Sequence, residues 1–274
     1  IQISFVKIKI QYNKIKGGNM HFIIVKMKSL IMFVAILLTI VMLSVSINGQ
    51  TAASVYFGNS FRKVPIYNVK TDEKVVAISF DAAWGADKTE KIMEILKEYN
   101  ANATFFLVGF WVENYPEIAK KIAENGFEIG THSNTHPDMV KLDSQQMKLE
   151  LETSIKTIET ITSAKVELFR PPYGSYNNTL IDTSESLNLK TIQWDVDSLD
   201  WKGISAVDIT TRILNKVFNG SIILCHNNSD HILEALPMVL DRLQKRGYAV
   251  KCVGDIIYKD NYTINNQGTQ LKNA

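Results

Sequence analysis

Cysteine is nearly absent from this 274-residue chain, which has two, and proline and glycine are sparse at six and 14. Two thiols cannot staple a small loop-rich scaffold, and so little proline and glycine excludes collagen-like and low-complexity chains. Disorder is excluded too, because 46% of the residues are hydrophobic and only 21% charged. Acidic residues are missing altogether from residues 1–53, which hold six lysines. The formal charge of +2 therefore divides: residues 54–274 keep 24 of the 30 basic side chains against all 28 acidic ones, a net of −4. A body with no basic excess has no electrostatic footing for nucleic acid, whose phosphates are met by clustered Lys and Arg. The length is ample for one sizeable core.

Charge of either sign is also absent from Ser29 to Phe61, and Leu30–Val45 is almost purely apolar. Lys26 and Lys28 stand directly before it. A positive segment followed by an apolar one reads as a secretory signal or a membrane anchor at 26–47, within a leader spanning 1–53. The apolar stretch is about 16–18 residues, long for a cleaved signal and slightly short for the ~30 Å hydrocarbon core. Thr51-Ala52-Ala53 offers small residues for cleavage, so cleavage and retention are both open. Export is the expectation, with membrane attachment through the N-terminal segment if it is uncleaved. Residues 1–19 begin with Ile and have no amphipathic order. Lys16-Gly17-Gly18-Asn19 before Met20 is what a purine-rich ribosome-binding site would encode, so 1–19 is expected to be translated upstream sequence.

Residues 54–74 are polar and aperiodic and read as a linker with one short strand at most. Regular patterning starts at Val75–Phe80, an apolar run of strand length, followed by helical spacing over Asp87–Tyr99. Further strands are predicted at 103–108, 127–131, 168–170, 190–194, 221–225 and 248–252. Helices fall between them, notably 116–125, 143–162, 205–218 and 232–246. Asp143-Ser-Gln-Gln146 has the form of a capping box. Buried-looking strands alternating with helices imply an α/β fold with a parallel sheet, open or closed into a barrel. The domain is expected over 75–258, and the polar tail 259–274 is expected to fray.

The unusual polar residues fall just after predicted strands: Asp81, His132 and His136, Arg170, Asp195 and Asp197, and His226. In a parallel α/β sheet those positions share the carboxyl-end rim, where sites assemble. Two imidazoles four residues apart, His132 and His136, can share a metal such as zinc, or be solvated loop histidines. Arg170-Pro171-Pro172-Tyr173-Gly174 is a stiff turn that can aim N–H groups at an oxyanion, or a plain structural corner. Trp194 to Trp201 sets three acids between two aromatic residues, which suits sugar rings and N-acetyl groups, or an acidic surface loop. His226 ends a buried strand where a carboxylate could hold it for general acid work.

Taken in order, SFDAAWG, HSNTHP, RPPYG, DVDSLDW and ILCH resemble the five motifs of the NodB-like polysaccharide deacetylases, carbohydrate esterase family 4. The resemblance runs from about Val75 to Tyr258, and the first motif is most similar to the sporulation-associated PdaB-type branch. It implies a distorted (β/α) barrel that hydrolyses acetamide groups of a cell-wall glycan, peptidoglycan or chitin-like, and releases acetate. It implies Asp81 as base, His132 and His136 as ligands of a divalent metal, and His226 as acid oriented by Asp197. Arg170 would tune Asp81, the Tyr173 N–H would join the metal on the oxyanion, and Trp201 and Leu224 would line the acetyl pocket. One position departs from the family. Its first motif usually carries a second acid as the metal's carboxylate ligand, and here that position is Ala82. The metal (zinc first, cobalt or another as alternatives) is therefore expected to be weakly held or absent. The alternative reading is a weak or inactive glycan-binding cell-wall protein on the same fold. Cys225 and Cys252, on consecutive predicted strands, are open to a disulfide or to free buried thiols.

Overall fold

The computed structural model describes residues 27–47 and 62–273, which fall in two units, Ile1–Phe61 and Arg62–Ala274. In the first unit the described part is one helix, α1 (Met27–Ile47). Among the described residues no helix is long and apolar enough to cross a membrane. The expected cleavage residues Thr51-Ala52-Ala53 and the segment 1–19 lie outside the described residues.

The second unit alternates strands and helices. In chain order it comprises β1 (Asn68–Val69), β2 (Val75–Ala82), α2 (Thr89–Glu98), β3 (Thr104–Leu107), α3 (Gly109–Asn114), α4 (Pro116–Glu124) and β4 (Glu128–Thr131). Next come α5 (Ser144–Thr162), β5 (Leu168–Phe169), α6 (Asn178–Ser186), β6 (Lys190–Thr191), β7 (Val196–Asp197) and α7 (Ala206–Lys216). The chain closes with β8 (Ile222–His226), α8 (Ile232–Lys245), β9 (Ala249–Lys251), α9 (Val253–Ile256), β10 (Tyr262–Ile264) and β11 (Thr269–Lys272). The main sheet runs β6-β5-β4-β3-β2-β8-β7, with β9 also paired to β2. Its ladders are all parallel, the curled, helix-covered arrangement of a distorted (β/α) barrel.

Side-chain alternation along β2 sorts the two faces. Val76, Ile78, Phe80 and Ala82 join the large apolar cluster shared with the helices, including Leu96, Trp111, Leu151 and Leu240. Ala77 turns the other way, into a second cluster with Phe106, Leu168, Ile192 and Ile222 that fills the sheet's concave side. Ser79 and Asp81 continue that inner row upward. The β2–β8 register sets Ala77 opposite Ile222, Ser79 opposite Leu224 and Asp81 opposite His226, so both inner rows end on a polar residue at the same level. α5 starts as its sequence predicts: Asp143 accepts from the Gln146 N–H, and the Gln146 side chain returns the bond.

Two expectations change, and one that was open is decided. The described part of the linker, residues 62–74, is folded: Ile66 and Val69 are 1% exposed, and both join the inner cluster. The tail is not frayed, because β10 and β11 form a hairpin and β11 pairs with β1 in a separate three-stranded sheet. Asn265 closes that turn by accepting from the Gln267 and Thr269 N–H groups, and Gln270, fully buried, exchanges two bonds with the Tyr258 backbone. These polar residues cover the sheet's lower end, so their polarity is used in hydrogen bonds and not in solvation. Finally, Cys225 and Cys252 are both free and buried. Cys225 lies level with Phe80, whereas β9 meets β2 only at Val75–Ala77, so the two cysteines sit at different heights along the sheet.

Candidate active site

The upper end of the sheet opens into a cleft of about 670 Å³. Its floor is Asp81, His132, Leu224 and His226; its walls include Trp84, His136, Tyr173, Trp194, Asp197, Asp200 and Trp201.

Asp81 is held from behind. Arg170 Nη1 donates to Asp81 Oδ1 at 2.8 Å and to Ser79 Oγ at 2.8 Å, and Nη2 donates to the Gln193 carbonyl at 3.1 Å. The guanidinium has no exposed surface and stacks 4.1 Å over the Phe106 ring. Burial pushes the Asp81 carboxyl up, but the charges of Arg170, His132 and His226 outweigh it and hold the group below its ordinary value.

The imidazoles stand beside it. His132 Nδ1 lies 2.6 Å from the Arg170 carbonyl, which can only accept, so Nδ1 carries the proton and Nε2 the lone pair. That Nε2 is 3.5 Å from Asp81 Oδ2. Burial lowers the His132 pKa against the pull of Asp81, and burial together with His132 lowers that of His136 to about 4. Both rings are therefore neutral at pH 7, the state a metal ligand needs. His136 is packed edge-on by Trp84 at 4.9 Å and Tyr173 at 4.7 Å between ring centroids. The loop joining the pair is anchored by Glu150 of α5, whose carboxylate accepts from the Asn134 and Thr135 N–H groups and the Thr135 hydroxyl at 2.7–2.9 Å. On its other side it meets Gly109, where a Cβ would lie 2.1 Å from Asn134 Oδ1 and 3.2 Å from Asn134 Cα, so a larger residue there would have to displace Asn134.

Across the cleft His226 Nδ1 bonds a carboxylate at 2.8 Å, and that carboxylate is Asp200, not the expected Asp197. Asp200 also accepts the His226 backbone N–H at 2.8 Å and is fully buried. Asp197 ends β7 one turn earlier, where its Oδ1 is occupied by the Leu199 N–H. Burial lowers the His226 pKa, but the hydrogen bond and charge of Asp200 overcome it and raise it above the ordinary 6.5. Asp195, expected on the rim, sits at the start of β7, where it accepts from the Ser221 hydroxyl and the Ile222 N–H. It is therefore at the opposite end of β8 from His226. Tyr173 adopts φ +60°, and Gly174 follows at +67° with Trp194 only 2.9 Å from where its Cβ would stand. The turn thus presses against the cleft wall, and Tyr173, Trp84 and Trp201 are 69%, 56% and 58% exposed.

The structure thus brings together Asp81, His132, His136, Arg170, Tyr173, Trp201, Leu224 and His226. Sequence reasoning missed the roles of Asp200, Ser79, Gln193, Glu150 and Trp84. Asp200 had a signal, as the third acid of its segment; the others are ordinary polar or aromatic residues whose role exists only in the folded contacts. A metal has only part of its donor set here. His132 offers a lone pair, but position 82 supplies a fully buried methyl group in place of a carboxylate. Among the described residues no three metal-ligating side chains come together. The residues present do not fit a closed metal site.

The site is thus a cleft at the carboxyl rim of a parallel α/β barrel, with a carboxylate and an imidazole facing each other between aromatic walls. The sequence pattern described as Polysaccharide deacetylase matches residues 68–192. The "Uncharacterized protein YlxY" of Bacillus subtilis is 36% identical over 208 residues, 76% of this chain and 65% of that protein. The "Peptidoglycan-N-acetylglucosamine deacetylase" of Bacillus cereus is 34% identical, over 63% of this chain and 64% of that one. The chain thus spans just under two thirds of the length of these curated relatives. Among solved structures, a mutant of a CE4 family pseudoenzyme "with restored enzymatic activity" is 36% identical with TM-score 0.69, covering 70% of this chain and 71% of that one. The wild-type pseudoenzyme, from Bacillus anthracis, is 34% identical with TM-score 0.69, covering 70% and 68%. The chain belongs to the polysaccharide deacetylase family, CE4.

Proposed function

We propose that the cleft binds an N-acetylated cell-wall glycan and hydrolyses its acetamide, releasing acetate. The observation that carries this reading is the facing pair, Asp81 backed by Arg170 and His226 backed by Asp200, at one register level on adjacent strands. Asp81, ionised at neutral pH, takes a proton from water as its oxygen bonds the acetyl carbon. The C–N bond then breaks, and His226, whose raised pKa keeps it protonated to higher pH, gives the amine its proton. The tight turn at Tyr173 supplies an N–H for the oxyanion. Peptidoglycan is the preferred substrate because the Bacillus cereus relative carries it in its name. Export through the leader, a divalent metal such as zinc loosely held on His132 and His136, and membership of the sporulation-associated PdaB-type branch belong to the same proposal. They rest on the Lys-flanked apolar segment, the neutral imidazoles and the first motif.

A second reading, glycan binding with little or no turnover, is favoured by Ala82. A base held below its ordinary pKa is a weak one, and nothing at position 82 helps to hold a metal that would acidify the water. The similarity to a pseudoenzyme points the same way. Incubating the full chain with peptidoglycan and with N-acetylglucosamine oligomers, then measuring acetate and pull-down on the glycan, separates them. Acetate release supports the hydrolase; retention without acetate supports the binding protein; neither would defeat both.

A further inference from the structure

We infer that the cleft selects glycan segments bearing free 2-ammonium groups and rejects those bearing carboxylates. The inference rests on the glycan reading and holds for either of its forms. Every charged side chain lining the cleft, its imidazoles aside, is acidic: Asp81, Asp197, Asp200 and Asp230, with no Lys or Arg among them. Two of the four are matched, Asp81 by Arg170 and Asp200 by His226. The other two are not matched in the same way. Asp197 Oδ1 meets only the neutral Leu199 N–H among the bonds described. Asp230 is 3.9 Å from Lys88 Nζ, an ammonium already donating to the Asn228 and Ser229 carbonyls.

Both unmatched carboxylates flank the same aromatic wall. Asp197 closes β7, Trp201 follows in the next turn, and Asp230 reaches over from the loop after β8, its Oδ2 4.0 Å from the Cβ position of Gly203. Two cations stand by this wall without lining the cleft: Arg212 Nε donates to the Asp197 backbone carbonyl at 2.7 Å, and the Lys202 ammonium stacks 5.0 Å from the Trp201 ring centroid. Exposed Trp84, Tyr173 and Trp201 provide flat apolar faces that suit sugar rings without regard to charge. The acidic excess among the lining side chains, in a recess with low-dielectric walls, then decides which sugars stay. An N-acetylglucosamine chain is neutral, and each acetyl group removed adds a positive charge. A muramic acid with a free lactyl group adds a negative one. The cleft therefore holds most tightly the partly or fully deacetylated glucosamine chain.

The test is equilibrium binding, read by tryptophan fluorescence on the full chain, of three tetrasaccharides: acetylated glucosamine, its deacetylated counterpart, and an N-acetylglucosamine–muramic acid repeat with free lactyl carboxylates. At low salt the deacetylated tetramer is expected to bind about fivefold or more tightly than the acetylated one, with the carboxylated one weakest. Raising salt to about 0.3 M should bring the first two within about twofold, because the preference is electrostatic. Asp230→Asn, at a side chain 79% exposed and so tolerant of exchange, should lower the deacetylated-to-acetylated ratio by about twofold or more. Equal low-salt affinities, a ratio indifferent to Asp230→Asn, or tightest binding of the carboxylated chain would overturn the inference. Binding of none of the three would overturn the glycan reading and the inference with it.

Discussion

Replacing Ala82 by Asp probes the departure from the family's first motif. The methyl group is fully buried and shares a cluster with Leu107, Val108 and Trp111, so a carboxylate placed there loses its water. Removing one partner of a buried ion pair costs about 3–5 kcal/mol, and an added, unpartnered carboxylate should cost a similar amount. For a folded unit of this size, about 1 kcal/mol moves Tm by roughly 2–4 °C, so metal-free Ala82→Asp should melt about 6–20 °C lower. Residue 82 is the last of β2, and the family's first motif places the metal's carboxylate there, so a new carboxylate that turns out of the apolar cluster toward the two imidazoles would complete three ligands. Zinc at a hundredfold excess over its Kd should then return about 2.7 kcal/mol, or roughly 5–11 °C. The parent chain should gain far less. Thermal melts with zinc and with chelator read both effects, and acetate release from N-acetylglucosamine oligomers should rise alongside. If Ala82→Asp melts like the parent chain with and without zinc, the new carboxylate points into solvent and Ala82 is not the missing ligand position.

Other consequences can be checked separately. Arg170→Met leaves Asp81 buried without its cation and should cost about 3–5 kcal/mol in urea denaturation, with Asp81→Asn added to it recovering part of the loss; a cost below about 1 kcal/mol would contradict the buried pair. The folded-state pKa of His226 is raised above 6.5, so its bond to Asp200 stabilises fully below that pH and fades as pH rises through the folded value. The stability gap between parent and Asp200→Asn should accordingly be wider at mildly acidic pH than in alkali, and Asp197→Asn, which removes only a more distant charge, should lower the His226 NMR titration less than Asp200→Asn does. Glu150→Ala removes three acceptor contacts from the loop between the imidazoles and should cost about 2–3 kcal/mol. Hydrogen exchange should locate that loss at the Asn134 and Thr135 amides, and unchanged protection there would show that the loop holds itself.

Much of the fold was legible because β2, β3 and β8 are short, strongly apolar runs separated by amphipathic helices, the alternation that marks an α/β sheet. Helix α3 escaped notice because six residues are too few to show a period, and α6 because its polar positions outnumber Leu180 and Ile181. The outer strands β1, β10 and β11 were hidden by their polarity, which Gln270 and Asn265 spend on backbone partners. Within the site, residues at strand ends could be placed from strand boundaries alone. The choice between Asp197 and Asp200 could not, because it turns on a left-handed residue, Leu199 at φ +55°, that swings the next turn back under His226.

Arg170 gives Asp81 a second reason to exist. A guanidinium with no exposed surface, joined to β2 through Ser79 and Asp81 and to the backbone at Gln193, needs a neighbouring anion whether or not any acetyl group is ever cleaved. Selection for folding alone would keep that carboxylate in place, while a ligand at position 82 could be exchanged for a methyl group that packs well. Across a lineage losing its chemistry, the base should thus be among the last residues to drift and the metal's carboxylate among the first. The barrel requires Asp81 before any chemistry does, so position 82 separates the hydrolase from the binding protein more sharply than Asp81 can.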